Sequence, residues 1–228
     1  MPLSKDQVRR LKRKAADNTL EVENLFIVAA SGDASAVPLL RQLKEKHGWS
    51  DTGFEGRTRV VPFGRWANVV CCYLERGHDG LVALAKSKKA KGAFREFCIS
   101  LLEELRGPKS VDALIRIGGG VLRSPRKNEQ LAVRLVRALN PQFTNDVGRF
   151  IGEPTRSLVR EFVHKLLTLK SRETNRHICL WILAEVGDES SLQRIANLPP
   201  SRDRWEKQIA NKAIKAIRDR LAEVDGGA

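Results

Sequence analysis

A short turn that stops one apolar helix and starts the next recurs along this chain, and it constrains the fold more than any other feature. The instances are Gly32-Asp33-Ala34-Ser35-Ala36-Val37-Pro38-Leu39-Leu40, Gly77-His78-Asp79-Gly80-Leu81-Val82-Ala83-Leu84, Gly107-Pro108-Lys109-Ser110-Val111-Asp112-Ala113-Leu114 and Gly187-Asp188-Glu189-Ser190-Ser191-Leu192. Glycine ends one helix, and Asp or Ser caps the next. The glycines lie about 45, 30 and 80 residues apart, the last interval being two repeats with a divergent turn at Asn140-Pro141 midway. Repeated helical hairpins explain the pattern most economically.

The stretches between these turns carry helical periodicity, and Pro62, Pro108, Pro125, Pro141, Pro154 and Pro199-Pro200 punctuate them. In the last stretch Trp205, Ile209, Ala213 and Ala216 form an apolar stripe, with Lys207, Lys212, Lys215 and Arg218 on the other side. Trp205 is therefore expected in the core, as is Trp181 on its own apolar helix face. Only Arg57 to Val61 offers a strand-like alternation. Aromatics are 6% of the chain, which speaks against a β-sandwich. The expected class is all-α.

The turns beginning at Gly32-Asp33 and running to Leu40, and Leu183-Ala184-Glu185-Val186-Gly187-Asp188 running to Leu192, resemble HEAT-like repeats. The likeness is closest to the short form named after the phycobilisome lyases, and Ala210 to Leu221 is similar to a closing helix of that family. The resemblance spans most of residues 20 to 222 and implies an α-solenoid of about five helical hairpins. It implies a scaffold and no bilin chemistry. Residues 1–18 then form a basic N-terminal capping helix, 19–224 the repeat domain and 225–228 a flexible tail. Gly48 to Pro62 and Gly118 to Lys127 depart from the pattern as Gly-rich insertions.

Lys plus Arg number 41 against 27 Asp plus Glu, a formal net charge of +14. That excess is beyond what solubility requires and points to an acidic partner, a protein first and a nucleic acid second. The cations cluster at Arg9 to Lys14; at Lys86, Lys88, Lys89 and Lys91; at Arg123, Arg126 and Lys127; and at Lys207 to Arg218. In a solenoid such clusters align along one ridge. Trp49, Phe54, Phe63 and Trp66 interleave with Arg57, Arg59 and Arg65, the mixture that stacks on unpaired bases, although packing of the insertion's own aromatics is the favoured reading. The partner-binding candidates are Arg57, Arg59, Trp66, Lys86, Lys88, Lys89, Lys91, Arg123, Arg126 and Lys127.

Signals for chemistry are sparse. His47, His78, His164 and His177 lack metal-ligand spacing, and Cys71-Cys72, Cys98 and Cys179 fit reduced, mostly buried thiols of a cytoplasmic protein. Gly118-Gly119-Gly120 lacks the flanking pattern of a phosphate loop and reads as an inter-helix loop. Neither a cofactor nor a metal is expected, and no catalytic residue is assigned. Apolar runs are far too short for a membrane span. One HEAT-repeat family, the alkylpurine DNA glycosylases, implies a remote enzymatic alternative, with Asp112 and Asp146 as the available carboxylates.

Overall fold

The structure is a computed structural model that describes residues 3–17, 21–45, 49–54, 57–87, 93–120, 128–144, 150–167, 176–201 and 203–225. These are helical apart from one two-stranded hairpin, which lies where the sequence carries its strand signal. The chain divides into two compact units, Met1–Leu105 and Arg106–Ala228.

In the first unit, α1 (Lys5–Ala16) opens on a reciprocal cap, with Ser4 Oγ accepting the Gln7 amide and Gln7 Oε1 accepting the Ser4 amide. Helix α2 (Val22–Ser31) ends at Gly32, whose φ of 64° is left-handed. Asp33 then caps a short 3-10 turn by accepting the Ser35 amide at 2.9 Å, and α3 (Val37–Glu45) follows. Strands β1 (Trp49–Phe54) and β2 (Arg57–Pro62) pair antiparallel, Trp49 opposite Pro62 and Phe54 opposite Arg57. Helix α4 (Phe63–Lys86) breaks at Gly77 (φ 60°, ψ −153°), a conformation an L side chain rarely adopts. The recurring turn thus falls inside α4 as a kink. Helix α4 packs on α2, α3 and α5 (Ala93–Leu105), burying Leu25, Leu40, Val69, Leu81, Ile99 and Leu102.

The second unit holds α6 (Pro108–Ile117), α7 (Glu129–Thr144), α8 (Thr155–Leu167), α9 (Arg176–Val186), α10 (Glu189–Ala196) and α11 (Arg204–Asp225). Helix α9 is central, touching α7, α8 and α11, and Cys179, Leu180, Ile182, Leu183 and Val186 are all buried. One turn reading needs correction. Asn140-Pro141 lies inside α7 rather than between helices. Proline there forgoes the one backbone hydrogen bond that its missing N–H would make, and the helix continues for three residues beyond it. Gly118 is buried, with a Cβ placed there falling 3.0 Å from the Leu135 side chain, so it serves close packing of α6 on α7.

The junction after α9 shows how the last recurring turn works. A Cβ on Gly187 would fall 2.5 Å from the Leu183 carbonyl and 2.7 Å from Ile217 Cδ1, so the chain turns where no side chain fits. The carbonyls left unpaired at the end of α9 are taken by arginines. Arg220 donates to Ala184 O (2.8 Å) and Gly187 O (2.6 Å), Arg160 to Val186 O (2.9 Å), and Arg156 to Glu185 O. Three cations at a helix C-terminus also oppose the negative end of its dipole.

Candidate functional site

Of the cations selected from the sequence, the described residues include Arg57, Arg59 and Lys86. Arg57 and Arg59 occupy β2 positions opposite Phe54 and Thr52. Lys86 ends α4 and is exposed. Lys88, Lys89 and Lys91, and likewise Arg123, Arg126 and Lys127, lie outside the described residues. Trp66 is only 4% exposed, held between the Phe26 ring at 5.3 Å and the Phe97 ring at 4.0 Å, so it belongs to the core and not to the surface. This agrees with the packing alternative for the aromatics of that segment. Among the described residues its Nε1–H finds no acceptor.

The aromatic surface lies elsewhere, on α9 and α11, and it overturns the expectation that Trp181 and Trp205 are core. Trp181 is 37% and Trp205 52% exposed. The reason is geometric. Residues four apart on a helix drift by about 40° per step, so the line starting at Trp205 reaches the middle of the buried face only at Ala213. The stripe that is buried runs through Ile209, Ala213 and Ile217, leaving Trp205 at its rim.

Both indoles are fixed by neighbours. The His177 ring lies 5.0 Å from the Trp205 ring, and Lys212 Nζ sits 5.9 Å from the centre of the Trp181 ring. Arg176 closes the group through Glu206 at 2.7 Å, and Asp203 caps α11 by accepting the Trp205 amide at 2.8 Å. Burial holds the His177 pKa below the ordinary histidine value, against the upward pull of Glu206 and Asp203. From Arg204 to Arg218 the helix carries five cations, all exposed, against one acid, Glu206, which Arg176 neutralises. Among the described residues Arg204, Lys207, Lys212, Lys215 and Arg218 enter no ion pair. The result is a basic surface with two indoles set in it.

Among the described residues, His164, Ser191 and Asp188 are engaged in structure. His164 Nε2 lies 2.9 Å from Ser191 Oγ, and Asp188 Oδ1 takes the Ser191 amide at 3.1 Å. Serine, histidine and aspartate meet here, but the carboxylate holds the serine instead of the second ring nitrogen, as a catalytic triad requires. Ser191 is fully buried, so the group caps α10 and ties it to α8. Burial lowers the His164 pKa, with Arg194 and Arg160 adding to the effect and Asp188 opposing it. Burial raises the Asp188 carboxyl, but hydrogen bonds from Ser190 and Ser191 and the nearby Arg160 outweigh it and hold the pKa low. The thiols of Cys98 and Cys179 are pushed up to about 12, mainly by burial, and are poor nucleophiles. Asp112, a glycosylase-type candidate, pairs along its own helix with Arg116 at 3.4 Å, and Asp146 lies outside the described residues.

Sequence reasoning missed the Trp181 and Trp205 surface because it placed both on apolar stripes. A usable signal was present in the five cations following Trp205 with one acid among them. No protein-family model, curated protein or solved structure matches this chain. Among the described residues, no helix is long and apolar enough to cross a membrane.

Proposed function

We propose that this chain is a HEAT-like repeat interaction module that holds an acidic protein through a basic helical surface and performs no reaction of its own. The observation that carries the reading is α11, which carries five exposed cations and an exposed tryptophan, none of the cations being spent on an ion pair among the described residues. Surface charge left unneutralised raises the encounter rate with a partner of opposite sign and sets which partners are rejected. The four recurring turns support the repeat part of the reading. Gly32, Gly77 and Gly107 have positive φ, and Gly187 admits no side chain, so each stands where a helix must stop. In a repeat scaffold successive helices present equivalent positions to one partner.

The test is anisotropy of a labelled glutamate-rich peptide, with single-stranded and duplex oligonucleotides as parallel arms, at low and at physiological salt. The reading expects the peptide to bind at physiological salt, and binding to weaken about tenfold in the Lys212→Glu, Lys215→Glu variant. Charge reversal at Lys88, Lys89 and Lys91 tests the second basic cluster in the same assay. Oligonucleotide binding that selects one form and survives unlabelled competitor contradicts the reading in favour of nucleic-acid recognition.

A further inference from the structure

We infer that Trp181 and Trp205, on adjoining helices, are the apolar anchors of this interface, and that the segment docking there carries a hydrophobic side chain flanked by carboxylates on a partner protein. The inference rests on the reading that the partner is an acidic protein. It adds where that partner docks and what its docking segment must contain.

Exposed tryptophan is the starting point. Indoles are the residues that proteins most often place at the centre of an interface, where their large area leaves water on binding. Here two of them lie on adjoining helices of the same unit, partly covered and held in place, so little side-chain freedom is lost when a partner arrives. Arg176 and Glu206 pin α9 to the first turn of α11 beside them. Exposed cations outnumber the acids around them: Asp203 caps the helix under Trp205, and Glu206 is paired with Arg176. Lys212 lies two turns beyond Trp205 on the same face, with Lys215 beside it and Arg204 adjacent in sequence, and all three are exposed. An apolar centre with a cationic rim fits a segment whose carboxylates bracket one hydrophobic residue.

The alternative occupant of such a surface is an unpaired nucleobase, and the same geometry disfavours it. The Lys212 ammonium lies against the Trp181 ring and the His177 imidazole against the Trp205 ring. A base stacking on those faces displaces contacts that the protein already makes. A leucine or phenylalanine needs only the uncovered part of the rings, while the carboxylates beside it take Lys212, Lys215 and Arg204.

The experiment uses the full chain and three labelled probes: an acidic peptide with one central phenylalanine, the same peptide with serine in its place, and a single-stranded oligonucleotide. The expected result is that the phenylalanine peptide binds about tenfold tighter than the serine peptide, the effect of burying one aromatic side chain. Trp181→Ala with Trp205→Ala brings the two peptides to equal affinity, while Lys212→Glu with Lys215→Glu weakens both. Should the double tryptophan variant misfold by circular dichroism, Trp205→Ala alone, at the more exposed of the two sites, carries the comparison. Equal binding of the two peptides to the unmodified protein overturns the anchor and leaves the acidic-partner reading standing. Peptide binding that ignores the Lys212 and Lys215 reversal, or that is weaker than oligonucleotide binding at physiological salt, overturns both.

Discussion

Two aromatic groups, one in each unit, use the same residue type for opposite ends. In the Met1–Leu105 unit Trp66 is closed in by Phe26 and Phe97, so fully that its indole N–H goes without an acceptor among the described residues. In the Arg106–Ala228 unit Trp181 and Trp205 keep a third to a half of their surface in water beside a lysine and a histidine. Burying an indole without its hydrogen bond costs stability, yet the first unit does so, and burying indoles gains stability, yet the second unit leaves two exposed. The first arrangement is explained by packing alone. The second fits the proposed docking surface.

The largest expected effect separates the two groups directly. Trp66→Ala should lower the stability of its unit by about 3–5 kcal/mol in urea denaturation, because a large cavity opens between Phe26 and Phe97. Trp205→Ala should cost about 1 kcal/mol or less, since half of that side chain is already in water. Equal losses would remove the distinction between core and surface indoles.

The glycine turns sharpen the same comparison at the backbone. Gly187→Ala forces a methyl against the Leu183 carbonyl and Ile217, and it should cost about 1–3 kcal/mol in the unfolding free energy. Gly32→Ala meets open space and suffers only from its φ of 64°, so its cost should be near 1 kcal/mol. A Gly187→Ala protein as stable as the original would show that the junction after α9 is looser than its geometry.

A smaller effect is set by pH. His164 is buried against Ser191 with its pKa depressed, so the unfolded chain binds a proton more readily than the folded one. Its contribution is fully present above the ordinary histidine value of about 6.5 and is lost as pH falls below it toward the folded pKa. His164→Gln should flatten the stability profile between about pH 7 and pH 5 relative to the original protein. An unchanged slope would place the pH dependence on other groups, His177 first among them, because burial depresses it too.

Much of the helix pattern was legible because local chemistry wrote it. The turn at Gly32-Asp33 needs a left-handed residue and then a capping carboxylate, and both are visible in sequence. The strand signal at Arg57 to Val61 became β2 for the same kind of reason. What misled was periodicity used beyond its resolution. Asn140-Pro141 looked like a turn, but the helix runs through it for three more residues at the cost of the one hydrogen bond that proline cannot donate. Trp205 looked like core because it begins a line of apolar residues spaced by four, whereas burial depends on which neighbouring helix covers each turn. The arginine cap on α9 was invisible for a further reason, since Arg156, Arg160 and Arg220 come from two other helices and meet only in the folded unit.

The contrast between the indoles can be observed within one sample. Each tryptophan gives its own indole Nε1–H signal in a nitrogen-15 correlation spectrum, and Trp49, Trp66, Trp181 and Trp205 supply the four. Titration with the phenylalanine-bearing acidic peptide should move the Trp181 and Trp205 signals together along one binding curve while Trp66 stays in place. Movement of Trp66, or stationary Trp181 and Trp205 signals at saturating peptide, would contradict the assignment of the α9 and α11 surface as the place where this protein meets its partner.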